Sequence, residues 1–87
     1  MTLYEAMQVL VRFHSWDFGD RGHGLCDQTL RAELAQLIDA ADLADVRVTL
    51  GRFVREEFLS EDALDAGYGP EDALDFLNWF CAGDFRP

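Results

Sequence analysis

Four residues carry the atoms a zinc ion prefers: His14, His23, Cys26 and Cys81. Structural zinc sites take nitrogen and thiolate ligands, usually at short fixed spacings. Here eight residues separate His14 from His23, and two separate His23 from Cys26. That order fits no familiar zinc pattern. Two histidines at loop or helix ends and two buried thiols are the simpler reading. The loop residues Asp17, Gly19, Asp20, Gly22 and Gly24 approach a calcium loop, but Gly19 takes a ligand position. The glycines make neither GxGxxG nor a P-loop, and no lysine exists to hold a phosphate. The two serines, Ser15 and Ser60, lie in no GxSxG, and no Cys–His pairing is evident. A cleft able to shift carboxylate pKa values is hard to build in 87 residues. The residues therefore predict a chain without metal or cofactor, and not an enzyme.

The abundant chemistry is anionic. There are 17 acids against 7 bases, a net charge of −10, and every base is arginine. Direct binding to nucleic acid is disfavoured, because phosphates would be repelled. A basic partner is favoured, since opposite surface potentials steer association. The charge is uneven: residues 1–55 carry 8 acids and 6 Arg, whereas residues 56–87 carry 9 acids and one. The acids Glu56, Glu57, Glu61, Asp62, Asp65, Glu71, Asp72 and Asp75, with Tyr68 and Trp79 as apolar anchors, form the candidate partner-binding set. Helix-start placement alone explains Glu61, Asp62, Glu71 and Asp72, because acids oppose the positive end of a helix. It leaves Glu56, Glu57, Asp65 and Asp75 unexplained.

These residues must be positioned by helices in a single domain, residues 1–87. Thr2 and Glu5 make a T-x-x-E capping box at the start of the first helix. Leu3, Met7, Leu10 and His14 follow at helical spacing, and Tyr4, Val9, Val11 and Phe13 widen the apolar surface. Such a helix is either central to the core or contacts a second chain. Residues 15–26 read as a loop. A second helix is predicted from about Asp27 to Asp42, with Leu30, Leu34, Leu37, Ile38 and Ala41 on one face and Asp27 paired with Arg31. The stretch 45–59 fits a helix through Val46, Leu50, Phe53, Val54 and Phe58. Val46, Val48 and Leu50 also alternate as a short strand over 46–50 would. The helix is favoured, because no second strand is visible to pair with it. Glu61-Asp62-Ala63-Leu64-Asp65 recurs ten residues later as Glu71-Asp72-Ala73-Leu74-Asp75. The repeat is too short for a solenoid and reads as two helix starts of one kind, with Ser60 capping the first and Pro70 in the first turn of the second. The last helix should run from Pro70 to about Cys81, with Ala73, Phe76, Leu77 and Phe80 inward. The expected architecture is an all-α bundle of four or five helices.

The acidic block on a compact single domain resembles, in kind, the small acidic inhibitors encoded by phages and mobile elements. These include anti-CRISPR proteins and other anti-defence DNA mimics. The resemblance implies that carboxylates stand in for phosphates and occupy a basic channel of a nucleic-acid-handling protein. The mixed arginine content of residues 1–55 departs from a uniformly anionic mimic and leaves a one-faced one. The alternative is a dimeric structural or adaptor domain, a homodimer joined through Tyr4, Val9 and Val11 of the first helix. The N-terminal sequence lacks a basic n-region, and no apolar run approaches a membrane span, so a cytoplasmic location is expected.

Overall fold

The computed structural model describes residues 1–14 and 28–86. They form five helices: α1 (Leu3–His14), α2 (Gln28–Ala40), α3 (Leu43–Glu57), α4 (Glu61–Asp65) and α5 (Pro70–Ala82). No strand occurs among the described residues, so the fold is a small all-α bundle. The loop expected at 15–26, with His23 and Cys26, and Asp27 of the expected Asp27–Arg31 pair lie outside the described residues.

The helix starts follow from side-chain chemistry. The Glu5 N–H donates to Thr2 Oγ1 at 3.1 Å, and the Thr2 N–H donates to Glu5 Oε1 at 3.0 Å. Each removes an orphan backbone donor at the start of α1. These bonds to Thr2 hold the Glu5 carboxyl below its ordinary pKa. Ser60 Oγ accepts from the Ala63 N–H at 3.1 Å and starts α4. Asp42 was expected to end the second helix. Instead α2 ends at Ala40, and Asp42 starts α3 by accepting from the Ala44 N–H at 2.8 Å. A short carboxylate satisfies free N–H groups at a helix start, whereas inside a helix it competes with the backbone.

The two helices nearest the C-terminus stop in the same way. Gly67 and Gly83 adopt positive φ, 102° and 75°. After α4, Tyr68 N–H donates to Ala63 O at 3.0 Å and Gly67 N–H to Leu64 O at 3.1 Å. After α5, Asp84 N–H reaches Trp79 O at 3.4 Å and Gly83 N–H reaches Phe80 O at 3.1 Å. Both are left-handed closures that glycine makes at little steric cost.

Residues 46–50 lie inside α3. Val46 is buried while Val48 is exposed, which excludes the strand alternation that would put both on one face. Gly51 is tolerated in the helix interior at a cost of about 1 kcal/mol relative to alanine. Packing of Val46, Phe53 and Val54 into the core outweighs it.

At the centre lies α1, which packs against α2, α3 and α5. Ala6, Met7 and Leu10 are buried, and Leu3, Tyr4, Val9, Val11 and Phe13 pack against the core as partly buried neighbours. Three helices thus cover α1, with Tyr4, Val9 and Val11 left only partly buried. The opposite wall is aromatic. Phe76 contacts the rings of Phe53, Phe58, Trp79 and Phe80 at centroid distances of 5.2, 5.6, 5.9 and 5.9 Å. Phe85 continues this row, stacked on Phe80 at 5.2 Å. The C-terminal turn that carries Phe85 is held by Arg31, whose Nε donates to Phe85 O at 2.9 Å and whose Nη2 donates to Asp84 O at 2.8 Å. Arg31 is therefore engaged with the far end of the chain, 54 residues away in sequence. Cys81, expected as a buried thiol, is exposed. It follows the buried Phe80 by one position, and the turn of the helix carries it off the inward face.

Candidate functional site

The candidate acids occupy the end of α3, all of α4 and the first half of α5. The structure divides them into those that hold the fold together and those that are exposed with no side-chain partner among the described residues. Glu56 and Glu57 belong to the first group. Tyr4 Oη donates to Glu56 Oε2 at 2.7 Å and lies 3.0 Å from Glu57 Oε1. Gln8 Nε2 adds a bond to Glu57 Oε1 at 3.2 Å, and Arg52 Nε reaches Glu56 Oε2 at 3.4 Å. The Arg52 guanidinium also lies over the Tyr4 ring, 4.3 Å from its centroid. This cluster ties the start of α1 to the end of α3 across 52 residues of sequence.

Burial, and then the two carboxylates, raise the Tyr4 phenol well above its ordinary range. In turn the Tyr4 hydroxyl is the main cause holding the Glu56 carboxyl below its usual pKa. The phenol's raised pKa sets an alkaline limit. Its stabilising contribution is complete below the unfolded value of 10.0 and is lost as pH climbs toward the folded value. Unfolding free energy should therefore fall above pH about 10, and Tyr4→Phe should flatten that decline. Denaturant midpoints on both proteins through this range check it. An equally steep decline in the variant would show that Tyr4 is not the group responsible.

Asp75 is engaged as well. Its Oδ2 lies 2.8 Å from His14 Nε2, a hydrogen bond that becomes an ion pair when the imidazole is protonated. The His14 ring packs on Trp79 at 5.0 Å and on Phe76 at 6.2 Å. His14 thus closes the end of α1 onto α5. No cluster of three His, Cys, Asp or Glu suited to a metal occurs among the described residues. Asp72 Oδ2 accepts from the Gly69 N–H at 2.9 Å and fixes the start of α5.

Glu61, Asp62, Asp65 and Glu71 remain. All four are exposed and have no side-chain partner among the described residues. Trp79 is half-buried between His14, Phe76 and Phe85, so it serves the core edge more than a free surface. Tyr68 is half exposed, with its ring edge on Phe58 at 5.7 Å. The Tyr4–Glu56–Glu57 and His14–Asp75 pairs sit at opposite ends of α1. Ten residues of helical rise separate Tyr4 from His14, roughly 15 Å. Sequence reasoning missed these long-range partners, because a tyrosine at the edge of an apolar helix face carries no signal of which carboxylate it will meet.

A cavity of about 440 Å³ opens elsewhere, between the end of α2, the start of α3 and the end of α5. Ile38, Val46, Leu50, Phe80 and Cys81 line it, and its one carboxylate, Asp39, is held by Arg86 at 2.6 Å. The lining is thus mixed, with apolar side chains beside the charged Asp39, Arg47 and Arg86. No helix among the described residues is long and apolar enough to cross a membrane. No family model matches the chain, and neither does any curated protein or solved structure.

Proposed function

We propose that this chain is a non-enzymatic acidic binding protein that occupies a basic surface of a nucleic-acid-handling protein. It would act in the cytoplasm as an inhibitor, in the manner of anti-CRISPR proteins and other anti-defence DNA mimics. One observation carries the reading: Glu61, Asp62, Asp65 and Glu71 are exposed and have no side-chain partner among the described residues. They lie within a stretch, residues 56–85, that contains no basic residue. Carboxylates used for helix starts or internal pairs are explained by the fold, and these are explained less well. Glu61, Asp62 and Glu71 do gain from their helix N-termini, but an acid there needs no second acid beside it. Asp65, in the last turn of α4, sits where a helix favours a cation and is not explained by it at all.

The arginines Arg47, Arg52 and Arg55 all lie on α3, and Arg31 and Arg86 serve the C-terminal turn. Residues 56–85 thus carry acids and no base in sequence, a run that suits a one-faced mimic. The test is retention of host proteins on the immobilised chain, eluted by rising salt and by added nucleic acid. The expected result is a basic nucleic-acid-binding protein released by both. Retention that ignores salt and nucleic acid would overturn the reading, because an electrostatic contact between exposed charges is screened by salt.

A further inference from the structure

The two Glu-Asp-Ala-Leu-Asp segments invert the usual choice of which apolar residue goes inside. In both, alanine is buried and the leucine after it faces solvent. Ala63 is 8% exposed and Ala73 4%, whereas Leu64 is 48% and Leu74 59% exposed. A single exposed leucine needs no explanation. The same inversion in the same acidic frame, twice, is a pattern. Tyr68 lies on the turn between the two, half exposed, its backbone fixed by the bond to Ala63 and its ring steadied by Phe58. Leu59 is exposed just before α4. Four of the seven exposed large apolar side chains among the described residues thus fall within residues 59–74.

Charge says what kind of partner suits this segment. Residues 59–75 hold six acids and no base. Each leucine has a Glu three positions before it, an Asp two before and an Asp directly after. Nucleic acid and anionic lipid would be repelled. A purely polar cationic site, shaped for phosphates, would leave Leu64, Tyr68 and Leu74 wet. The complementary surface is cationic and apolar at once. Resting on the reading that the acidic half is a binding surface, we infer that this segment, residues 59–75, docks a cationic amphipathic segment of a partner protein. Its apolar side chains cover Leu64, Tyr68 and Leu74, and its Lys or Arg side chains meet Glu61, Asp62, Asp65 and Glu71. This is the arrangement in which an apolar anchor supplies affinity and rim charges supply steering.

The experiment titrates the full chain with two synthetic helical peptides of equal length and equal lysine count. One carries leucine along one face, and the other carries serine at those positions. The leucine peptide should bind about tenfold tighter or more, as burial of two half-exposed leucines implies. That advantage should disappear in the Leu64→Ser/Leu74→Ser double variant, checked for helical content, and persist in Val48→Ser, an exposed apolar site on α3. Equal binding of the two peptides, or an equal loss in Val48→Ser, overturns the docking inference. The broader acidic-surface reading stands in that case if the serine peptide binds in a salt-sensitive way that Asp65→Lys/Glu71→Lys removes. If neither peptide responds to salt or to those reversals, both readings fall together.

Discussion

Replacing Phe76 by alanine should destabilise the fold by about 3–5 kcal/mol, the range for deleting a large buried aromatic side chain. Phe76 is 0% exposed and joins α5 to the rings of Phe53 and Phe58 on the α3 side and to Phe80, Trp79 and His14. The loss combines the transfer term, an unfilled cavity, and edge-to-face or tilted ring pairs worth roughly 0.5–1.5 kcal/mol each. A small domain has about 5–15 kcal/mol of total stability, so this one change removes a large share of it. Denaturant unfolding followed by circular dichroism reads the shift in midpoint. Leu74→Ala, two positions earlier on the exposed side of the same helix, is the control and should stay within about 0.5 kcal/mol. A small loss at Phe76 and a large one at Leu74 would mean that α5 is rotated from the orientation described.

The second large effect concerns binding. Asp65→Lys together with Glu71→Lys should weaken the proposed basic partner at least about 100-fold while leaving the fold intact. Placing two cations against a basic surface replaces attraction by repulsion, and such like-charge contacts cost several kcal/mol. These two positions separate binding from folding. Lys at 65, in the last turn of α4, gains from the helix end, and Lys at 71, in the first turn of α5, loses a similar amount, each roughly 0.3–1 kcal/mol. The two helix terms offset. Reversing Asp72 or Asp75 would not be clean, because Asp72 caps Gly69 and Asp75 pairs with His14. Affinity by calorimetry against the captured partner, with thermal unfolding in parallel, reads both quantities. Unchanged affinity at matched stability would remove these carboxylates from the interface.

Much of the local structure is legible in the residues. The Thr2–Glu5 box, the Ser60 cap and Pro70 at the start of α5 are all contacts within a few positions. The inward sets Leu34–Ile38 and Ala73–Phe76–Phe80 follow from helical period alone. The candidate site was legible only as a list of acids. Which of them were free depended on Tyr4, Gln8 and His14, residues 49 to 61 positions away. Likewise the sequence left the broad face of α1 open to a core or a second chain. The tertiary structure shows that it packs against α2, α3 and α5, with Tyr4, Val9 and Val11 partly buried. Asp42 changed helices because capping is decided by where the chain must turn, and that depends on how α2 and α3 pack.

By itself the sequence determined the all-α class, most helix starts and stops, the inward faces and the concentration of acids after residue 55, because each depends on spacing of a few residues or on composition. Only the tertiary structure decided that Glu56, Glu57 and Asp75 hold helices together while Glu61, Asp62, Asp65 and Glu71 face solvent. Only it showed that both repeats turn alanine inward and leucine outward. Those outcomes depend on which helix lies against which, and long-range packing is set by the whole core rather than by any local run of residues.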